Sequence, residues 1–123
     1  MGPMFAMIRH RFDRLGLFLS CMCAAHCVIS ILVVAALGVS GGFLLDPAIH
    51  RFGLLLATVI AAVAIAGGAL RHRRAAPFVV AMTGLSFMGG GLAVDHGIEE
   101  AVLTVIGVTL VAAGHLLNLR AAR

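Results

Sequence analysis

The sequence predicts an all-α integral membrane bundle of four transmembrane helices, with both termini on the cytoplasmic side. Three observations carry that prediction. Hydrophobic residues make up 62% of the 123 positions and charged residues only 11%, less charge than a soluble domain of this size needs to cover its surface. The polar residues gather in short islands, 9-RHRFDR-14, 46-DPAIHR-51, 71-RHRR-74, 95-DHGIEE-100 and 118-NLRAAR-123. Between the islands lie apolar runs of about twenty residues, the length a helix needs to cross a bilayer.

Residues 1–123 read as one membrane domain with spans near 13–39, 48–70, 76–94 and 98–119. The first span follows a basic segment, and the apolar stretch from Leu15 to about Leu45 is too long for the core of a signal peptide. Gly38, Gly41 and Gly42 loosen its end. Asp46-Pro47 starts the second span, with a capping carboxylate followed by proline at the first helical position. Pro77 starts the third, which is the shortest and carries 89-GGG-91 in its second half. Glu99 and Glu100 fall in the first turn of the fourth, where negative charge suits the helix dipole. Glycines along the spans, among them Gly84, Gly107 and Gly114, suit close helix contact in lipid.

Orientation follows from the arginines, the only strongly basic residues present. The N-terminus, the 71–74 loop and the C-terminus hold Arg9, Arg11, Arg14, Arg71, Arg73, Arg74, Arg120 and Arg123. The remaining loops hold Arg51 alone. The positive-inside rule then gives an N-in, C-in topology. In this frame the 71-RHRR-74 loop sets topology, His72 is part of it, and nucleic-acid binding is excluded by the small basic area. Asp46, Asp95, Glu99 and Glu100 face outward with His50 and His96.

The unusual feature is 20-SCMCAAHC-27 inside the first span. On a helix, Asp13, Ser20 and Cys27 fall in line, Cys23 lies four before Cys27, and His26 three after Cys23. Gly16 and Ser30 extend this stripe, whereas Cys21 points away. Polar groups at membrane depth are costly and commonly pair or mark an ion path. Helical rise puts Cys27 about 18 Å in from Leu15, near mid-bilayer. Two thiols and an imidazole on one face form a donor set for a soft or borderline metal ion. The bland alternative is that the thiols are inert helix-contact residues and His26 bonds to a neighbouring helix. Elsewhere, His96 with Asp95, Glu99 and Glu100 forms an outer island able to attract cations, and His50 sits at the outer start of the second span. His115 lies inside the fourth span, on a face with Gly107, Val111 and Gly114. It is placed to pair with Asp13 or to act as a later metal stop.

The segments 13-DRLGLFLSCMCAAHC-27, 71-RHRR-74 and 112-AAGHLLNLR-120 resemble those of the MerC-domain family, relatives of the bacterial inner-membrane mercuric transporter, across nearly the whole chain. The resemblance implies a multi-pass protein of the inner membrane that takes up Hg(II), with first-helix thiols receiving the ion. Two departures stand out. The mercury transporters look as if they use adjacent cysteine pairs, with another pair further on. Here the first helix carries C-x-C and H-C, and no cysteine follows Cys27.

The combined expectation is a membrane metal-ion binding and transport protein, not an enzyme. The candidate metal residues are Cys23, His26 and Cys27, with Cys21, Asp13, His50, His96 and His115 as further candidates. The ion is Hg2+ by resemblance, with Zn2+, Cu+ or Fe2+ suited to the histidines. The partners are that ion and the lipid bilayer, and a homodimer would enclose a path better than one thin bundle. The rival readings are a metal or redox sensor, or a haem-binding electron-transfer protein with histidines from different helices as axial ligands.

Overall fold

The computed structural model describes residues 2–38, 46–95 and 97–122, except for the side chain of Val34. Val39, Gly41, Gly42, Leu45, His96 and Arg123, named above, lie outside the described residues. The described residues are helical throughout, apart from short turns and ends. Four helices are long and apolar enough to cross a membrane: α1, Pro3–Leu37; α2, Pro47–His72; α3, Ala76–Ala93; and α4, Ile98–Ala121.

Helix α1 begins ten residues before the expected span. No helix breaker stands between Pro3 and Leu37, and proline at the first position is compatible with a helix start. At 1.5 Å per residue its 35 residues run about 52 Å, well beyond a hydrocarbon core of about 30 Å. It stops at Gly38, whose φ of 62° is the left-handed conformation that ends many helices and that glycine adopts without cost. Asp46 caps α2 as expected, its Oδ1 accepting the Ala48 N–H at 2.9 Å. Within α2, Ala62–Ala66 widens into a π-helical turn. The three glycines at 89–91 do not break α3.

Helix α4 is the hub, packed against α3 along its length and against α1. The α3–α4 contact depends on absent side chains. A Cβ on Gly84 would lie 2.6 Å from the Gly107 carbonyl, and one on Gly107 would lie 2.7 Å from the Gly84 carbonyl. Such backbone approach supplies van der Waals contact where lipid removes any hydrophobic drive between helices. Helix α2 closes the bundle between α1 and α3. The interior is lined by Ala57, Met88, Val108 and Val111, and next to them by Ala61, Ala64, Ile65 and Ala81. Phe18, Leu32, Phe52, Leu55 and Leu70 are exposed, as befits side chains whose solvent is lipid.

Candidate metal centre

The polar stripe of α1 faces the bundle. Asp13, Gly16, Ser20, Cys27 and Ser30 are all buried, at the three-, four- and seven-residue intervals that share a helix face. Asp13 and Cys27 are fourteen residues apart, about 21 Å along the helix. They stand in two different polar clusters.

The first cluster joins α1, α2 and α4. Donor atoms of His26, Cys27 and His50 all lie within 4.8 Å of one another. Cys27 Sγ is 3.6 Å from His50 Nε2. The His26 and His50 rings are tilted by 57°, with centroids 5.5 Å apart. On its other side, His50 Nδ1 lies 3.2 Å from Oε1 of Glu100, a side chain in the first turn of α4 that is almost fully buried. His26 Nε2 and Ser30 Oγ are buried without a hydrogen-bond partner. An unpartnered buried imidazole nitrogen is costly in an apolar setting, and a bound cation would satisfy it. A cavity of about 320 Å³ adjoins these residues and is otherwise lined by Ile31, Ala35, Gly97, Ile98 and Ala101. Because His50 and Glu100 both occupy first turns, this cluster sits towards the end of the bundle where α2 and α4 begin.

The second cluster lies towards the opposite end. His115, fully buried, donates Nδ1–H to Asp13 Oδ1 at 2.7 Å. Asn118 Nδ2 donates to Asp13 Oδ2 at 2.9 Å and to the Ala64 carbonyl, in the π-helical turn, at 3.0 Å. His72 Nε2 meets Asn118 Oδ1 at 2.9 Å, while its Nδ1 accepts the Arg74 N–H. Each role follows from the last: a His72 that accepts at Nδ1 carries its proton on Nε2 and donates to the amide oxygen. His115 Nε2 has no hydrogen-bond partner and is pressed on Gly16, where a Cβ would collide with the ring. The pairing of Asp13 with His115 matches the expectation. In this arrangement His115 has no room for an ion at Nε2.

The other candidates fall apart from these clusters. Cys21 is exposed and Cys23 half-buried. Cys23 packs against the interior cluster, with Gly53 of α2 facing its sulfur. Cys23 is not a member of the three-residue group formed by His26, Cys27 and His50. Asp95 and Glu99 are exposed, so the outer acidic island is divided, with Glu100 turned inward. His96 lies outside the described residues. Sequence reasoning missed the inward role of Glu100 and the link from His72 to Asn118. A signal for Glu100 existed, since it lies seven and fourteen residues before Gly107 and Gly114, on the buried face of α4.

A sequence model of the family described as MerC mercury resistance protein matches residues 13–120. No curated protein and no solved structure matches the chain.

Proposed function

The chain belongs to the MerC mercury resistance family, and from that premise we propose that it carries mercuric ion across the bacterial inner membrane, capturing it at Cys27, His26 and His50. The family is one of transporters rather than enzymes, and the four apolar helices make the chain a multi-pass membrane protein. The single observation that carries the site is the convergence of one thiol and two imidazoles within 4.8 Å, from two helices. The buried, unpartnered Nε2 of His26 supports it.

The proposed passage begins at the end bearing Asp95 and Glu99, whose exposed carboxylates attract a cation. The arginine distribution supports that end as the outer one, with both termini cytoplasmic. Capture forms a Cys27 sulfur–metal bond as the thiol proton leaves for solvent, with imidazole nitrogens completing the ligand set. Transfer inward passes Cys23, one turn deeper on the same face, by thiol exchange. The Asp13–His115–Asn118 cluster closes the inner end until its helices part.

A second reading keeps the site and changes the ion. One thiolate with two imidazoles is a donor set for a borderline ion such as Zn2+ or copper, whereas linear mercury capture favours two thiolates, here Cys23 with Cys27. The haem reading has less support, because His115 is taken up by Asp13 and Gly16 and the His26 and His50 rings stand side by side on one cavity.

The test is metal binding by the purified, reduced protein in detergent, with Hg(II), Zn(II), Cu(I) and Fe(II) in competition, beside Cys27→Ala and Cys23→Ala. Tight binding lost in Cys27→Ala supports the site. The ion bound most tightly in the competition separates the two readings: Hg(II) selects mercury, and Zn(II) or copper selects the borderline ion. Binding unchanged in Cys27→Ala overturns the proposal.

A further inference from the structure

Glu100 is a carboxylate in a membrane-spanning helix and only 5% exposed. Such a group is expensive at that depth and calls for a reason. Packing fixes its position. A Cβ on Gly91 of α3 would lie 2.9 Å from Thr104 Oγ1 and 3.4 Å from the Glu100 carbonyl oxygen, so α3 and α4 touch immediately beside it and its backbone has little freedom. From there Oε1 reaches to 3.2 Å from His50 Nδ1. The far nitrogen of the same ring, Nε2, is the one 3.6 Å from Cys27 Sγ. Carboxylate, imidazole and thiol thus stand in series across α4, α2 and α1.

That series is how proteins prepare a histidine for a metal. A carboxylate on one ring nitrogen fixes the tautomer and the ring orientation, and leaves the other nitrogen's lone pair aimed at the ion. The inner end offers an internal contrast. Asp13 holds His115 by a 2.7 Å hydrogen bond to Nδ1, yet His115 Nε2 is closed by Gly16 and no thiol faces it. Only at the outer end does the held imidazole look onto a sulfur and a cavity.

We propose that Glu100 is a positioning and specificity-determining residue for the ion bound at Cys27. It holds His50 with the proton on Nδ1, so that Nε2 is a ligand. With the Cys27 thiolate it also balances the two charges of a divalent ion, so the loaded site is neutral at a depth where net charge is costly. A monovalent ion such as Cu(I) leaves the same site with one uncompensated negative charge. On binding, the Cys27 S–H bond breaks, a sulfur–metal bond forms and one proton goes to solvent; no electron moves. The inference rests on the proposed metal site.

The test uses the full-length reduced protein in detergent, titrated with Co(II) as a spectroscopic divalent probe and with Cu(I). Glu100→Ala should weaken Co(II) binding by roughly 10–100-fold and alter the Co(II) ligand-field and sulfur charge-transfer bands. Glu100→Gln keeps an oxygen able to accept from Nδ1. It should return the spectrum to the wild-type form and bind Cu(I) as the wild type does, while Co(II) remains weaker by about fivefold or more. A carboxylate that merely ties α2 to α4 would change the thermal melt followed by circular dichroism and leave the Co(II) spectrum alone, and that result overturns the inference. So does wild-type Co(II) affinity in both Glu100 variants with binding still lost in Cys27→Ala, an outcome that leaves the metal site standing. Wild-type binding in Cys27→Ala removes the site and the inference together.

Discussion

Replacing Asp13 by asparagine removes one charge and almost no volume, yet the inner cluster should register it strongly. Asp13 is 2% exposed, His115 0% and Asn118 3%, so water cannot repair a lost bond. Asparagine can direct its oxygen to His115 Nδ1–H, but its amide then faces Asn118 Nδ2, now 2.9 Å from Asp13 Oδ2. Two donors oppose each other. Asn118 cannot turn over, because its oxygen accepts from His72 and its amide also donates to Ala64.

The expected loss is about 1–3 kcal/mol, the cost of a buried polar group left unsatisfied. Interhelical hydrogen bonds in membranes average only about 0.6 kcal/mol, because the separated helices find other partners. A network whose roles are all assigned belongs at the upper end. Asp13→Ala, which removes both acceptors, should lose about 3–5 kcal/mol, as when a buried pair is broken. Exchanging the two residues, Asp13→Asn with Asn118→Asp, restores the bonds to His115, to His72 and between positions 13 and 118, but sets a carboxylate oxygen against the Ala64 carbonyl, and should recover only part of the loss. Since the chain has no tryptophan or tyrosine, unfolding is best followed by far-UV circular dichroism during titration of SDS into mixed micelles. If Asp13→Asn and Asp13→Ala both fall within about 0.5 kcal/mol of wild type, the range of an ordinary surface substitution, the reasoning is wrong.

Other expectations follow from single contacts. Gly107→Val drives a side chain into Met88 and the Gly84 carbonyl, and should cost about 1–3 kcal/mol or more in the same SDS titration. Gly16→Ala forces the His115 ring from its place; it should destabilise the protein and alter the His115 imidazole resonance, whereas Gly89→Ala, which meets nothing, should not. Cys21 is exposed on the outside of the bundle, so Cys21→Ser should leave metal affinity unchanged in the competition titration. His26→Ala removes a buried donor with no other partner, and metal affinity should fall without loss of helicity.

The four helices were legible because lipid imposes a coarse requirement. A span must be long and apolar, and its ends must be polar or broken. The inward stripe of α1 was legible too, since Asp13, Ser20 and Cys27 share a face on any straight helix. Asp13 and His115 could be matched because each is a polar residue near the same end of its span. The early start of α1 at Pro3 was not foreseen, since the polarity of 9-RHRFDR-14 marks a membrane boundary and not a helix boundary.

What the sequence determined by itself was therefore the set of helices, the face each residue occupies and the presence of thiols and an imidazole on the first. Which residues meet was decided only by tertiary packing. Cys27 faces His50, 23 positions away, and His50 faces Glu100 from a third helix. Cys23, one turn from Cys27 on the same helix, packs instead in the apolar interior. Helical periodicity fixes direction around one axis and says nothing of rotation or height relative to the next helix. Those are set by glycine contacts such as Gly84 with Gly107, and by Gly91 against Thr104 beside Glu100, which bring α4 close enough for its carboxylate to reach the imidazole of α2.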